Sequence, residues 1–165
     1  RIASYSQSTS FGPYRPIESN VRYQVNDLTF YSVRDILNYY KQDYMTDGKI
    51  IFDNPPVTTL KYPIIPNQEW HLKTLSQTEI RKQYTTFETV TVRAGTFYCN
   101  KVKRNWYRDG VGPDPQIISY DYFSKDGIIK RDLVIKDILV WGNFNQPIGY
   151  LDARVEIEVN IYTHP

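Results

Sequence analysis

The chain has 165 residues, enough for one domain with a sizeable core, and at 41% hydrophobic and 23% charged it is a folding sequence and not a disordered one. A net charge of +2 argues against the concentrated basic stripe of a nucleic-acid binder, and no run reaches the ~18 apolar residues of a membrane span. One cysteine excludes an internal disulfide, and with two histidines it cannot build a zinc site of the usual spacing.

Fifteen tyrosines, with many threonines, valines and isoleucines, lean the composition toward strands, although tyrosine also suits binding surfaces for sugars, peptides or lipids. Starting at Arg1 without an initiator Met, a signal peptide or a lipobox cysteine, the chain is expected to be a mature or trimmed product. Residues 1–16, rich in Ser, Thr, Tyr and Pro, read as an N-terminal tail or tether, and residues 17–165 as a single β-rich domain.

Val21, Tyr23 and Val25 alternate, Asn26-Asp27 offers a turn, and Leu28 and Phe30 resume the alternation, which predicts a first hairpin. Val33, Ile36, Leu37, Tyr40 and Tyr44 then fall at helical spacing behind a capping-box-like Ser32 and Asp35. That spacing predicts a helix over 32–44, with a Tyr-rich hairpin as the alternative. A short strand at 50–52 leads into a stretch broken by Pro55, Pro56, Pro63 and Pro66, which is expected to cross an edge or end of the sheet.

Trp70 and Leu72 share a strand face, and His71 falls on the other, where a surface role is expected. A long strand over 77–92 turns at Ala94-Gly95 into a partner over 97–107. Strands at 117–123 and 128–141 flank "SKDG", the strongest short-range hairpin signal in the chain. The basic run Lys101-Val102-Lys103-Arg104 alternates across both faces and is expected to be a solvated strand. At the end, Leu151, Ala153, Val155, Ile157, Val159 and Ile161 point one way, and Asp152, Arg154, Glu156, Glu158 and Asn160 the other. Eleven residues of alternation predict an antiparallel strand roughly 35 Å long with one buried face.

These elements predict a mainly β fold: a single curved antiparallel sheet, a half-open barrel, with one short helix as a plug or lid.

The chemistry-bearing motifs are missing: no G-x-S-x-G, H-E-x-x-H, P-loop or C-x-x-C occurs. Gly110-Val111-Gly112 is a turn and not a dinucleotide fingerprint, and Asp109 with Asp114 does not fit an EF-hand. Cys99, two residues from Phe97, is expected in the core with an inert thiol. No catalytic residue, metal site or cofactor is predicted. The candidate ligand-binding residues are Trp106, Tyr107, Trp141 and Phe144, aromatics beside the loops at 107–116 and 142–149.

"ETVTVRAGTFYCNKV" (Glu88 to Val102) resembles the E-T-V-T-V-P-A-G-T-F-x-C-x-x-V signature of short bacterial cell-envelope proteins of unknown function, many of them lipoprotein candidates. "LKYPIIPNQEW" (Leu60 to Trp70) and "YFSKDGIIKRD" (Tyr122 to Asp132) are similar to two further stretches of that family, in the same order. Arg93 stands where proline is usual, Asn67 where glycine is usual, and the "GVGPDPQ" loop is an insertion.

The resemblance implies a curved half-barrel of the kind that carries lipids or lipoproteins, in an exported, periplasmic or outer-membrane-tethered protein. It names no catalytic residue. The expected function is a non-enzymatic envelope protein that binds an apolar ligand, such as a lipid, or another envelope protein on a concave sheet, with the membrane reached only through an N-terminal anchor outside this chain. The alternatives are a hydrolase acting on glycan or cell wall and a surface carbohydrate-binding module.

Overall fold

The computed structural model describes residues 2–16, 56–75, 78–108, 112–143 and 146–163. The hairpin expected at 21–30, the helix expected at 32–44 and the strand expected at 50–52 lie outside the described residues. All regular structure described is β: β1 (Ile2–Phe11), β2 (Arg15–Pro16), β3 (Glu69–Leu75), β4 (Thr78–Val92), β5 (Gly95–Tyr107), β6 (Ile117–Ser124), β7 (Gly127–Trp141) and β8 (Pro147–Thr163). They form one open antiparallel sheet in the order β1-β8-β7-β6-β5-β4-β3, with β2 also paired to β8. From β3 onward each strand pairs with the next, so the sheet is a meander whose last strand takes up the first.

The segment read as a tail therefore supplies β1. Its apolar period is missing because the described side chains from Ser8 to Phe11 are exposed, and backbone pairing holds the strand instead. Ser6 Oγ donates to Asn160 Oδ1 at 2.9 Å, and Gly12 N donates to Asp152 O at 2.7 Å.

Two hairpins follow the turn chemistry legible in the sequence. Arg93-Ala94 closes β4–β5 with Gly95 at φ 139°, and Lys125-Asp126 closes β6–β7 with Gly127 at φ 125°. Both glycines occupy backbone conformations that a side chain would strain. Asn67, where the resembled family carries glycine, has φ 62°, a left-handed position in which asparagine is the next most tolerated residue.

The chain divides into two compact units, one of Arg1–Thr9, Val57–Val134 and Val155–Pro165, the other of Ser10–Pro56 and Ile135–Arg154. In the second unit Arg15 holds Asp137 at 2.7 Å and Asp152 at 2.9 Å, and Asp152 Oδ1 also accepts the backbone N–H of Asp137. These pairs are half exposed, so each contributes less than about 1 kcal/mol.

The first unit carries its core on both faces of β4, β5 and β6. Pairing sets Tyr84 opposite Val102 and Thr86 opposite Lys101, so Thr85 is an extra residue, a β-bulge. Ile80, Lys82 and Tyr84 before the bulge share a face with Trp106, Arg104 and Val102. After it, Val90 and Val92 lie on the opposite face. One cluster (Trp70, Tyr84, Val102, Phe123) packs under Leu60 and Ile64 on the first face. The other (Val90, Val92, Cys99, Tyr122, Ile129, Val159) forms on the second face near the hairpin tip, where Ala94 N donates to Val159 O at 3.3 Å.

Cys99, Val90, Val92 and Phe97 thus sit in or against a core, as expected, and burial followed by the nearby Glu88 charge pushes the Cys99 thiol up to about 11. Ala153, Val155, Ile157 and Val159 are buried as the alternation in β8 predicts.

The proline-broken stretch does not merely cross an edge. Residues 57–68 lie as a strap over the first face, fixed by side chains that rise from the sheet. Trp70 Nε1 donates to Thr58 O at 2.8 Å, Lys82 Nζ to Thr59 O at 3.1 Å, and the Tyr84 hydroxyl to Lys61 O while accepting from Lys61 N at 2.9 Å. Side chains hold the proline-containing part, and backbone bonds secure its end, where Asn67 N donates to Tyr84 O at 3.0 Å and Tyr84 N to Gln68 O at 3.2 Å.

Candidate functional site

On the strap-covered face the rows of paired residues run Lys82·Arg104·Ser119, then Tyr84·Val102·Asp121, then Phe87·Asn100·Phe123. The first two rows contain a buried ion cluster. Asp121 accepts from Arg104 Nε at 2.8 Å and from Arg131 Nε at 2.7 Å, with Lys82 Nζ 3.0 Å away, and none of the four residues is more than 2% exposed.

Burial alone would raise the Asp121 carboxyl, but the attraction of Arg104, Arg131 and Lys82 outweighs it and holds the group well below the usual carboxylate range. Burial pulls Lys82 down to about 8 despite Asp121, with Arg104 and Arg131 adding repulsion. A carboxylate so pinned is a poor base. The cluster's role is to tie β4, β5, β6, β7 and the strap together, since a buried charge survives only when paired.

The expectation of a solvated strand at 101–104 is corrected here, because Arg104 is 1% exposed and Val102 fully buried. Their strand is central, and Asp121 on the adjacent strand supplies the counter-charge that makes burial tolerable.

The third row opens onto an aromatic groove of about 590 Å³, within the usual range of small-molecule sites. Leu60, Tyr62 and Ile64 of the strap form one wall. Phe87, Asn100, Phe123 and Tyr98 form the floor and far side, and Ser124, Lys125 and Asp126 of the β6–β7 turn lie at the end. Phe87 and Tyr98 stack with centroids 5.6 Å apart and planes at 12°, yet they are 46% and 69% exposed, and Tyr62 is 72% exposed. Three large rings around one groove are the most prominent exposed apolar surface of this unit among the described residues. Asp126 is the one carboxylate in its lining among the described residues.

Of the aromatics singled out from the sequence, Trp106, Tyr107 and Trp141 do not line this groove. Trp106 is buried at 1% exposure and offers no face to solvent. Tyr107 is half-buried, its hydroxyl donating to Glu69 Oε1 at 3.1 Å and its ring 4.6 Å beneath the Arg81 guanidinium. Trp141, in the second unit, is exposed, and Phe144 lies outside the described residues. His71 is exposed and hydrogen-bonded to Thr74 Oγ1 at 3.1 Å, the surface role expected of it. The groove escaped the sequence because its walls come from segments about 60 residues apart. The available signal was Phe87 and Tyr98, large apolar rings at positions alternating with the buried Val90 and Cys99.

No family model and no curated protein matches the chain. Among solved structures it is similar to a "putative exported protein with YmcC-like fold" from Bacteroides fragilis, at 19% identity and a TM-score of 0.29, over 62% of this chain and 49% of that one. The chain spans about half the length of that protein, and a likeness of this degree transfers no residue roles.

Proposed function

We propose that this is a non-enzymatic binding protein of the bacterial cell envelope, exported and tethered by a segment preceding it, which holds a ligand with an apolar face in the groove under the strap. The observation that carries the reading is the groove itself: Phe87 and Tyr98, stacked but half or more exposed, facing Tyr62 across a space of about 590 Å³. Leaving such rings partly in water forfeits only a fraction of the roughly 1.5–3 kcal/mol that full burial of a large apolar side chain is worth, a fraction that covering them with a ligand recovers. A binding role without catalysis is favoured by the single carboxylate that the described residues bring to the groove, where glycoside hydrolysis uses a pair, and by an inert Cys99. The envelope setting is supported by the sequence resemblance over residues 60–132.

Native mass spectrometry of protein purified gently from its own host tests the proposal. The expected spectrum carries a co-purifying mass that is lost on denaturation and missing from a Phe87→Ala/Tyr98→Ala double variant. A clean apo mass, together with no binding of the fluorophore N-phenyl-1-naphthylamine to the purified chain, would sink it.

A further inference from the structure

Asn100 does not suit the floor of a groove meant for hydrocarbon. It is 6% exposed, it lies directly between Phe87 and Phe123 in the row across three strands, and it lines the groove. Its side-chain amide makes no hydrogen bond to any described residue. The little surface it keeps faces the groove, so water or a ligand must satisfy both its N–H donors and its carbonyl acceptor. An acyl chain laid over it would strip that water and leave a buried amide unpaired, an outcome proteins avoid.

The occupant must therefore bring hydrogen-bonding atoms into the middle of an aromatic surface. A polypeptide has such atoms, but on the face of a sheet it finds no free ladder, and most of its own N–H and C=O groups would be stranded among rings. A pyranose meets the requirement: a C–H face for stacking and hydroxyls, each both donor and acceptor, around its edge.

Resting on the groove being a binding site, we propose that its ligand is a saccharide. One ring lies against the Phe87–Tyr98 platform with its hydroxyl edge on the Asn100 amide, and neighbouring sugars run toward the polar end at Ser124 and Lys125. The two ring planes of the platform are nearly parallel, at 12°, with centroids 5.6 Å apart.

The test is competition on the full chain, with N-phenyl-1-naphthylamine as the reporter and tetrasaccharides of glucose, galactose and N-acetylglucosamine as competitors. At least one tetrasaccharide is expected to displace the fluorophore. Asn100→Leu is expected to weaken that saccharide at least tenfold more than it changes fluorophore binding, and Tyr98→Ala to weaken both. Because Asn100 is nearly buried, circular dichroism and a thermal melt accompany each variant, and Asn100→Ser carries the test if the leucine misfolds. If the fluorophore binds and palmitate displaces it while no saccharide does, the saccharide inference is overturned and the groove stands as a lipid site. If neither fluorophore nor saccharide binds, the groove reading fails and the inference with it.

Discussion

Two neighbouring regions of one sheet face invert the usual rule of burial. In the rows at Lys82 and Asp121 the charges are inside, with four ionised groups no more than 2% exposed. One row along, the rings are outside, with Phe87 and Tyr98 half or more in solvent. The strap explains the difference. Residues 57–61 cover the charged rows and satisfy Lys82 and Tyr84 with their own backbone carbonyls, whereas farther on the strap stands off as one wall of the groove. A covered polar network is scaffold, and an uncovered aromatic one is apolar surface left in solvent.

The comparison breaks hardest at Asp121. Asp121→Asn leaves Lys82, Arg104 and Arg131 buried around a neutral group and is expected to cost about 3–5 kcal/mol in urea unfolding; a loss below about 1 kcal/mol would mean that water reaches the cluster.

Acid makes the same change reversibly. Since the folded protein holds Asp121 ionised well below its unfolded pKa, the stability it contributes is intact above about pH 4 and is lost as the pH falls, by up to ~1.4 kcal/mol per unit for this one proton. Lys82 acts in the opposite direction at the other end of the scale. Its folded value near 8 lies under its unfolded 10.5, so the unfolded chain binds more protons between those limits and stability rises with pH across that window. Lys82→Met is expected to flatten the rise without lowering stability at pH 7, because Asp121 keeps two guanidinium partners; a melt series from pH 7 to 10 compares the two.

The smallest effect belongs to the groove. Tyr98→Ser loses one stacked pair at an exposed position and is expected to change stability by less than about 1 kcal/mol while weakening ligand binding. A larger loss of stability would make Tyr98 part of the core.

The strands from β3 to β8 were legible because alternation and Gly-containing turns fix both phase and register, as at Lys125-Asp126-Gly127. What alternation could not reveal was the bulge. Ile80, Tyr84, Val90 and Val92 all have even numbers and read as one face, yet Thr85 sends the last two to the other side. The ion cluster hid for a related reason: Lys82, Arg104 and Asp121 occupy core-facing positions, but charges there read as solvated until three strands are set side by side. Trp106 illustrates the converse, an aromatic near a loop whose central strand buries it.

The pairing of β1 with β8 has a consequence for how the molecule comes into being. Ser6 meets Asn160 across 154 residues of chain, so the earliest described strand has no template until the latest one is made. The meander from β3 to β8 grows by adding each strand to its predecessor, with only local loops to close. Docking of β1 instead closes one long loop, at a cost that rises slowly with length but must be met before any of its contacts form. It is therefore expected to assemble last, leaving the edge of β8 open to chaperones, or to another copy of the chain, during synthesis, with Asp152, Arg154, Glu156 and Glu158 along that strand to discourage wrong pairing.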